Sequence, residues 1–235
     1  MKLKVVIFDL DGTLLDSMPQ FAEKAAEIMA ESYGVDGVLA KRMYYETSGL
    51  PFYLQLERLF PGDLKNTSNS TSFEHWKAAN PILFTQLRSG VRKTMDRLHE
   101  QKSIVCISSN NCQENVDLII SAWKNDGILV EAALGNRNAS FAKGKSHFDW
   151  ILDRFGCNKS DMVFVGDSLN DYRIACENNV RFLAVTSTFT ADQFMALNKG
   201  IDCFDELEDV AEWIIAQSDI RERSPVDDFM EGSTY

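Results

Sequence analysis

The chain has 235 residues, 45% hydrophobic and 25% charged, enough to bury a sizeable core as one domain or two unequal ones. Its formal net charge of −11 disfavours nucleic acid and anionic membrane surfaces as partners, because both call for a basic face. No apolar run reaches spanning length and no signal-peptide pattern opens the chain, while the five scattered cysteines contain no Cys-x-x-Cys pair; a cytoplasmic chain with reduced thiols is expected.

Val5 to Phe8 is short, apolar and not alternating, which predicts a strand buried on both faces. It ends in Asp9-Leu10-Asp11-Gly12-Thr13. Residues two apart on a strand point the same way, so Asp9 and Asp11 are expected to converge where the chain turns at Gly12. Two adjacent acids raise each other's pKa, and a site that keeps both ionised needs a cation. A helix is expected to start near Ser17, with Pro19 in its first turn, and to stop at Gly34. From there to residue 88 the pattern is helical and aromatic, including Tyr44, Phe52, Phe60, Phe73, Trp76 and Phe84, and it is broken at Gly49-Leu50-Pro51 and Pro61-Gly62-Asp63. The polar run Lys65 to Ser72 is expected to be a loop.

From Gly90 strands alternate with helices. A helix over Val91 to His99 leads to a strand over Ser103 to Ile107, which ends in Ser108-Ser109-Asn110-Asn111. A helix near Gln113 to Lys124 and a strand over Ile128 to Leu134 follow, then a loop to Gly144 and a helix ending at Gly156. Met162 to Val165 is the next strand, ending in Gly166-Asp167-Ser168-Leu169-Asn170-Asp171. A helix through Ala175, a strand over Phe182 to Val185 and a last helix over about Asp205 to Ala216 complete the series. This alternation predicts a doubly wound parallel α/β sheet, in which ligands bind beyond the carboxyl ends of the strands. The expected division is a core of residues 1–15 and 89–217, a helical insert of 16–88 and a polar tail of 218–235.

Three strand ends therefore carry reactive polar groups: Asp9/Asp11, Ser108/Asn110 and Asp167/Asp171. Asp9-x-Asp11-x-Thr13 resembles the first motif of the haloacid dehalogenase superfamily, most of whose members are phosphatases. Ser108, at the end of an apolar run, resembles the second motif's hydroxyl. Lys143 resembles the third motif's lysine, although the common following proline is absent and Lys145 stays open as the alternative. Gly166-Asp167 with Asp171 resembles the fourth motif. The helical insert is similar to the cap of the branch that holds phosphoglycolate phosphatases and β-phosphoglucomutases.

The resemblance implies a Rossmann-like core with an inserted helical cap and a Mg2+-dependent hydrolysis of a small phosphorylated metabolite. Asp9 would attack phosphorus and Asp11 would handle the proton; Thr13 would order the loop and contribute to the phosphate site. Ser108, the Ser109 N–H and Lys143 would hold phosphoryl oxygens, and Asp9, Asp11, Asp167 and Asp171 would serve Mg2+. Arg42, Tyr45 and Thr47, near the Gly49 break, are candidates for touching substrate. A sugar phosphomutase shares all four motifs, and a non-catalytic phosphate-binding protein is the alternative outside enzymes; monomer and homodimer both remain open.

Overall fold

The computed structural model describes residues 4–80, 86–138 and 140–222. Phe84 and residues 223–235 of the expected tail lie outside them. Strands β1 (Val5–Phe8), β2 (Ile104–Cys112), β3 (Ala132–Asn136), β4 (Met162–Gly166), β5 (Arg181–Val185) and β6 (Asp202–Phe204) form one sheet in the order β3-β2-β1-β4-β5-β6. Every pairing is parallel. The order of the strands reverses at β1, and the crevice beyond the carboxyl ends of β1 and β4 is where such sheets bind ligands.

Strand periodicity sorts the core into two layers. Val6 and Phe8 pack with Val105, Ile107, Val163 and Val165 beneath helices α5 (Val91–Glu100), α6 (Gln113–Asn125) and α10 (Leu207–Glu222). Val5 and Ile7 pack on the other face with Cys106, Met162 and Phe164 beneath α7 (Lys145–Phe155), α8 (Leu169–Asn178) and α9 (Ala191–Leu197). β1 is buried on both faces, which is why its apolar run does not alternate.

Between β1 and α5 lie α1 (Met18–Tyr33), α2 (Gly37–Glu46), α3 (Phe52–Leu59) and α4 (Lys65–Ala79). They share a separate core of Phe21, Ala25, Met29, Tyr44, Leu56 and Phe73 among others. The chain leaves the sheet and returns to it through one narrow junction: the Asp16 N–H donates to the Gln86 carbonyl, and the Arg88 N–H donates to the Leu14 carbonyl.

Several elements differ from expectation. Lys65 to Ser72 is not a loop but the first half of α4. The Ser68 and Thr71 hydroxyls fold back onto helix carbonyls, Asn66 is buried on Glu57 and the Phe60 carbonyl, and Phe73 anchors the far end, so tertiary contacts override weak helix propensity. The strand expected from Ile128 begins instead at Ala132, and β2 runs on through Cys112 across a register shift against β3. The short α9 and β6 lie outside the expected series. Residues 218–222, assigned to the tail, continue α10. Ser17 begins α1 without a side-chain cap, because its hydroxyl is used elsewhere.

Candidate active site

β1 delivers Asp9 and β4 delivers Asp167 because the two strands run side by side in register, Phe8 against Val165, and the Asp9 N–H extends the ladder to the Val165 carbonyl at 2.8 Å. Asp9 follows Val5 and Ile7 on the face beneath α7 and α8. There the Lys143 ammonium meets it at 2.7 Å and meets Asp171 at 2.6 Å. Lys143 is 1% exposed and is enclosed with the carboxylates it neutralises. Lys145, the alternative lysine, is exposed and pairs with Asp149 one helical turn along.

Asp171 is fully buried one turn into α8, where it forms a capping box with Ser168: Ser168 Oγ donates to Asp171 Oδ2 at 2.6 Å and accepts from the Asp171 N–H. Thr13 Oγ1 donates to Asp167 Oδ1 at 2.9 Å, and Thr188 holds the other oxygen. Thr13 is therefore a fully buried support for Asp167. Gly12, with φ +81°, lets the loop cross Asp167; a Cβ there would stand 2.2 Å from the Asp167 carboxylate. The Gly12 carbonyl is fixed by Ser187 Oγ at 2.7 Å and Arg88 Nη1 at 3.1 Å.

Asp11 lines the same cavity as Asp9, with both its oxygens occupied by donors. Ser17 Oγ donates to Oδ1 at 2.7 Å and Asn111 Nδ2 to Oδ2 at 2.6 Å. The two seryl groups at the end of β2 separate. Ser108 is fully buried, and its hydroxyl hydrogen-bonds His147 Nδ1 at 2.9 Å, while Ser109 lines the cavity and accepts the Asn111 N–H. Burial holds the His147 imidazole down to about 4, so it is neutral at physiological pH.

Electrostatics ties these groups together. Loss of solvent pushes Asp9 well above the usual carboxylate range against the opposing pull of Lys143, with Asp171 and Asp167 adding to the rise. Asp167 is pushed up to about 6, first by burial and then by Asp171. Asp11 is raised by burial against the opposing charge of Lys77. For Lys143 burial works to lower the pKa, but Asp171 and Asp9 outweigh it and hold the ammonium protonated.

Asp9, Asp167 and Asp171 offer buried oxygens within 4.8 Å of one another. Three carboxylates against one ammonium leave a charge of −2, so this hard, oxygen-only donor set suits a divalent ion of the Mg2+ type.

The opposite wall comes from the helical insert: Met18, Phe21, Tyr44, Phe52, Phe73 and the Gly49-Leu50-Pro51 loop enclose a cavity of about 80 Å3. The loop is fixed to the sheet side by two amides, since Asn110 Nδ2 and Asn170 Nδ2 each donate to the Gly49 carbonyl at 2.9 Å. Gly49 itself has φ +88°, and a Cβ would meet Ser168 Oγ at 2.2 Å. Of the residues expected near this loop, Arg42 pairs with Glu46 at the surface and Thr47 bonds Gln55; the cavity takes Tyr44 rather than its neighbour Tyr45. Lys77 carries no sequence signal that marks it as a site residue, and it reaches the cavity only through the fold, while Ser17, at the expected helix start, reaches the Asp11 carboxylate.

Residues 6–185 match the family model described as haloacid dehalogenase-like hydrolase. The chain is 25% identical over 194 residues to a phosphoglycolate phosphatase of Aliivibrio fischeri, covering 78% of this chain and 84% of that protein. Another phosphoglycolate phosphatase, from Pasteurella multocida, is 20% identical over 224 residues, 89% of this chain and 97% of its own. Among solved structures, one described as a predicted phosphatase from Clostridium acetobutylicum superposes with a TM-score of 0.75 at 16% identity, covering 92% of this chain and all of its own. A haloacid dehalogenase-like family hydrolase from Streptococcus pneumoniae gives 0.71 at 17% identity, covering 90% and 98%. At such identities these structures establish the shared fold.

Proposed function

Because the chain belongs to the haloacid dehalogenase-like hydrolase family, we propose that it is a Mg2+-dependent phosphoric monoester hydrolase that works through a phosphorylated Asp9. The observation that carries this reading is the buried meeting of Asp9, Lys143 and Asp171 beside Asp11, at the crevice between β1 and β4. Relatives named phosphoglycolate phosphatase support the same reaction class.

Asp9 supplies the nucleophilic oxygen: a bond forms from its carboxylate to phosphorus as the bond from phosphorus to the ester oxygen breaks. Lys143 holds Asp9 in place and offsets charge building on the phosphoryl oxygens. Asp11, raised by burial, is the acid that gives a proton to the departing alkoxide. It then takes a proton from the water that attacks phosphorus, and the Asp9 carboxylate is released. Ser17 and Asn111 fix the orientation of Asp11 through both steps.

Ser109, which faces the cavity, is the hydroxyl placed to hold a phosphoryl oxygen, with Ser108 and His147 bracing the strand end behind it. Asp9, Asp167 and the Asp11 backbone carbonyl would hold Mg2+, with Asp171 bracing the group through Lys143. When bound, the ion supplies charge neutralisation for the phosphoryl group. Helices α1 to α4 act as a cap, residues 16–88, that closes over the cleft and excludes water. The test is phosphate release from a panel of small phosphomonoesters with Mg2+ and with chelator. Release that chelator abolishes is expected; no release across the panel would overturn the reading.

A further inference from the structure

β1 ends at Phe8, opposite Ile107 of β2 and Val165 of β4, but β2 does not stop there. It runs five residues past Ile107 to Cys112 and, beyond a register shift, pairs again with β3 where Cys112 meets Asn136. This extension is tied down at several points. Gln113 Oε1 accepts from the Gly135 N–H at 2.8 Å and from Arg137 Nε at 3.3 Å, while Gln113 Nε2 donates to the Ala133 carbonyl at 3.1 Å. A Cβ on Gly135 would stand 2.7 Å from Gln113 Cα, so glycine is what lets the end of β3 lie against the end of β2. Asn138 Oδ1 closes the turn that follows, accepting from the Ser140 N–H at 2.9 Å and the Phe141 N–H at 3.1 Å.

The raised edge is the sheet-side wall of a second cavity of about 390 Å3, within the size range of sites for drug-sized ligands. Tyr53, Ser70 and Glu74 of the insert form its other wall. Pro51, Phe52, Glu74 and Asn110 line both cavities, whereas Asp9, Asp11 and Lys143 line the first alone. In-line attack by Asp9 puts the departing alcohol on the far side of phosphorus, and an alcohol of any length has the second cavity to extend into. The lining selects its occupant. The two charged side chains have opposite signs and partners of their own: Glu74 pairs with Lys77 at 2.7 Å, and Arg137 bonds Gln113 and lies 4.8 Å from the Phe141 ring centroid. The remaining polar groups are neutral, chief among them the Asn138 Nδ2 group and the Asn136 amide, which has no side-chain hydrogen bond among the described residues. Beside them Tyr53 is 42% exposed. A carboxamide presents a donor next to an acceptor, the pattern found on the edge of a nucleobase, and an exposed aromatic ring is a platform on which a base stacks.

We propose that the second cavity is a leaving-group subsite that takes a nucleobase, so the preferred substrates are nucleoside monophosphates, with the phosphoryl group at Asp9 and the base between Tyr53 and the amides of Asn136 and Asn138. The inference rests on the phosphatase assignment above and names the substrate class of that site. The extension of β2 and β3 supplies the hydrogen-bonding wall, and the helical insert supplies the stacking face.

The experiment measures phosphate release by the full chain with Mg2+ from uridine 5′-phosphate and adenosine 5′-phosphate, from ribose 5-phosphate, which lacks the base, and from glucose 6-phosphate. At least one nucleotide is expected to exceed ribose 5-phosphate by about tenfold or more in kcat/KM. Tyr53→Ala and Asn136→Ala should each cut that preference by about three- to thirtyfold, mainly through KM for the nucleotide, while Tyr53→Phe, which keeps the ring, holds it within about threefold. A preference unchanged in both alanine variants, or all esters weakened equally, overturns the proposal, and so does glucose 6-phosphate turned over better than either nucleotide. Should the variants fail to fold, the unaltered protein decides alone: ribose 5-phosphate turned over as well as both nucleotides removes the base subsite and leaves the phosphatase reading standing. Release from none of the four esters also overturns the subsite, and the wider phosphomonoester panel then decides the phosphatase reading by itself.

Discussion

On the strand-end side of the cavity, Asp9 and Asp167 continue two buried strands held in register, whereas on the helical side Lys77, Tyr44 and Phe52 come from helices with a core of their own. The first side is fixed by backbone ladders and by carboxylates locked onto Lys143, Thr13 and Ser168. The second side touches it through few polar contacts, chiefly the two amides on Gly49 and the bond from Lys77 to Asn111. A rigid half that carries reactive groups and a separately folded half that carries contacts suit different tasks: the one chemistry, the other selection and closure.

The contrast is broken most severely at Asp9. Asp9→Asn should lower turnover by about 10,000-fold or more while the fold persists, since the amide preserves shape and removes the nucleophile. Comparable loss in an unfolded sample would not count, so a circular dichroism spectrum accompanies the assay.

Next in size is the contrast between two lysines two residues apart. Lys143→Ala leaves Asp9 and Asp171 buried without their cation and should destabilise the metal-free protein by about 3–5 kcal/mol in urea unfolding. Lys145→Ala removes an exposed pair and should cost about 0.5 kcal/mol or less. Equal effects would contradict the placement of the charge.

Metal and pH sharpen the same half. Asp167 holds its proton up to about 6 in the fold, above the 3.8 of a free carboxylate. Its protonated form is thus favoured by folding, and that stability is present below about 3.8 and lost as pH rises through about 6. Metal-free Tm should therefore fall as pH rises across this window, the raised Asp9 acting in the same direction and the lowered His147 opposing both. Saturating Mg2+ should raise Tm by about 5–10 °C at pH 7 and much less at pH 4. Calorimetry with and without chelator reads both.

The smallest effect is expected at the seam between the halves. Asn170→Ala removes one of two amides on the Gly49 carbonyl and should reduce kcat/KM by about three- to tenfold, with unfolding stability changed by about 1 kcal/mol or less. A large loss of stability with unchanged kinetics would mean that the contact holds the fold rather than the closure.

The same division explains what the sequence made legible. Asp9, Asp11, Asp167 and Asp171 sit at the ends of short apolar runs, and a strand's period of two and a helix's turn are local patterns. Lys143 is marked by its resemblance to the third motif's lysine, although only the fold shows which of Lys143 and Lys145 is enclosed with Asp9. Ser108 and Ser109 are both hydroxyls at the end of β2, but which one faces the cavity depends on the strand's local geometry and on His147, 39 residues from Ser108 in the chain. Lys77 and Asn111 are 34 residues apart, and no periodicity relates them. The polar half of α4 read as a loop because its stability comes from contacts with Glu57 and Phe60 rather than from its own residues.

The central claim is that the Asp9 carboxylate carries the phosphoryl group during turnover. The most direct measurement is an acid quench of the full chain during steady turnover of a phosphoester labelled in its phosphoryl group, followed by peptide mapping. The label is expected on the peptide containing Asp9, released by hydroxylamine as an acyl phosphate would be, and missing from Asp9→Asn. Full-rate phosphate release with no label on that peptide at any quench time would contradict it.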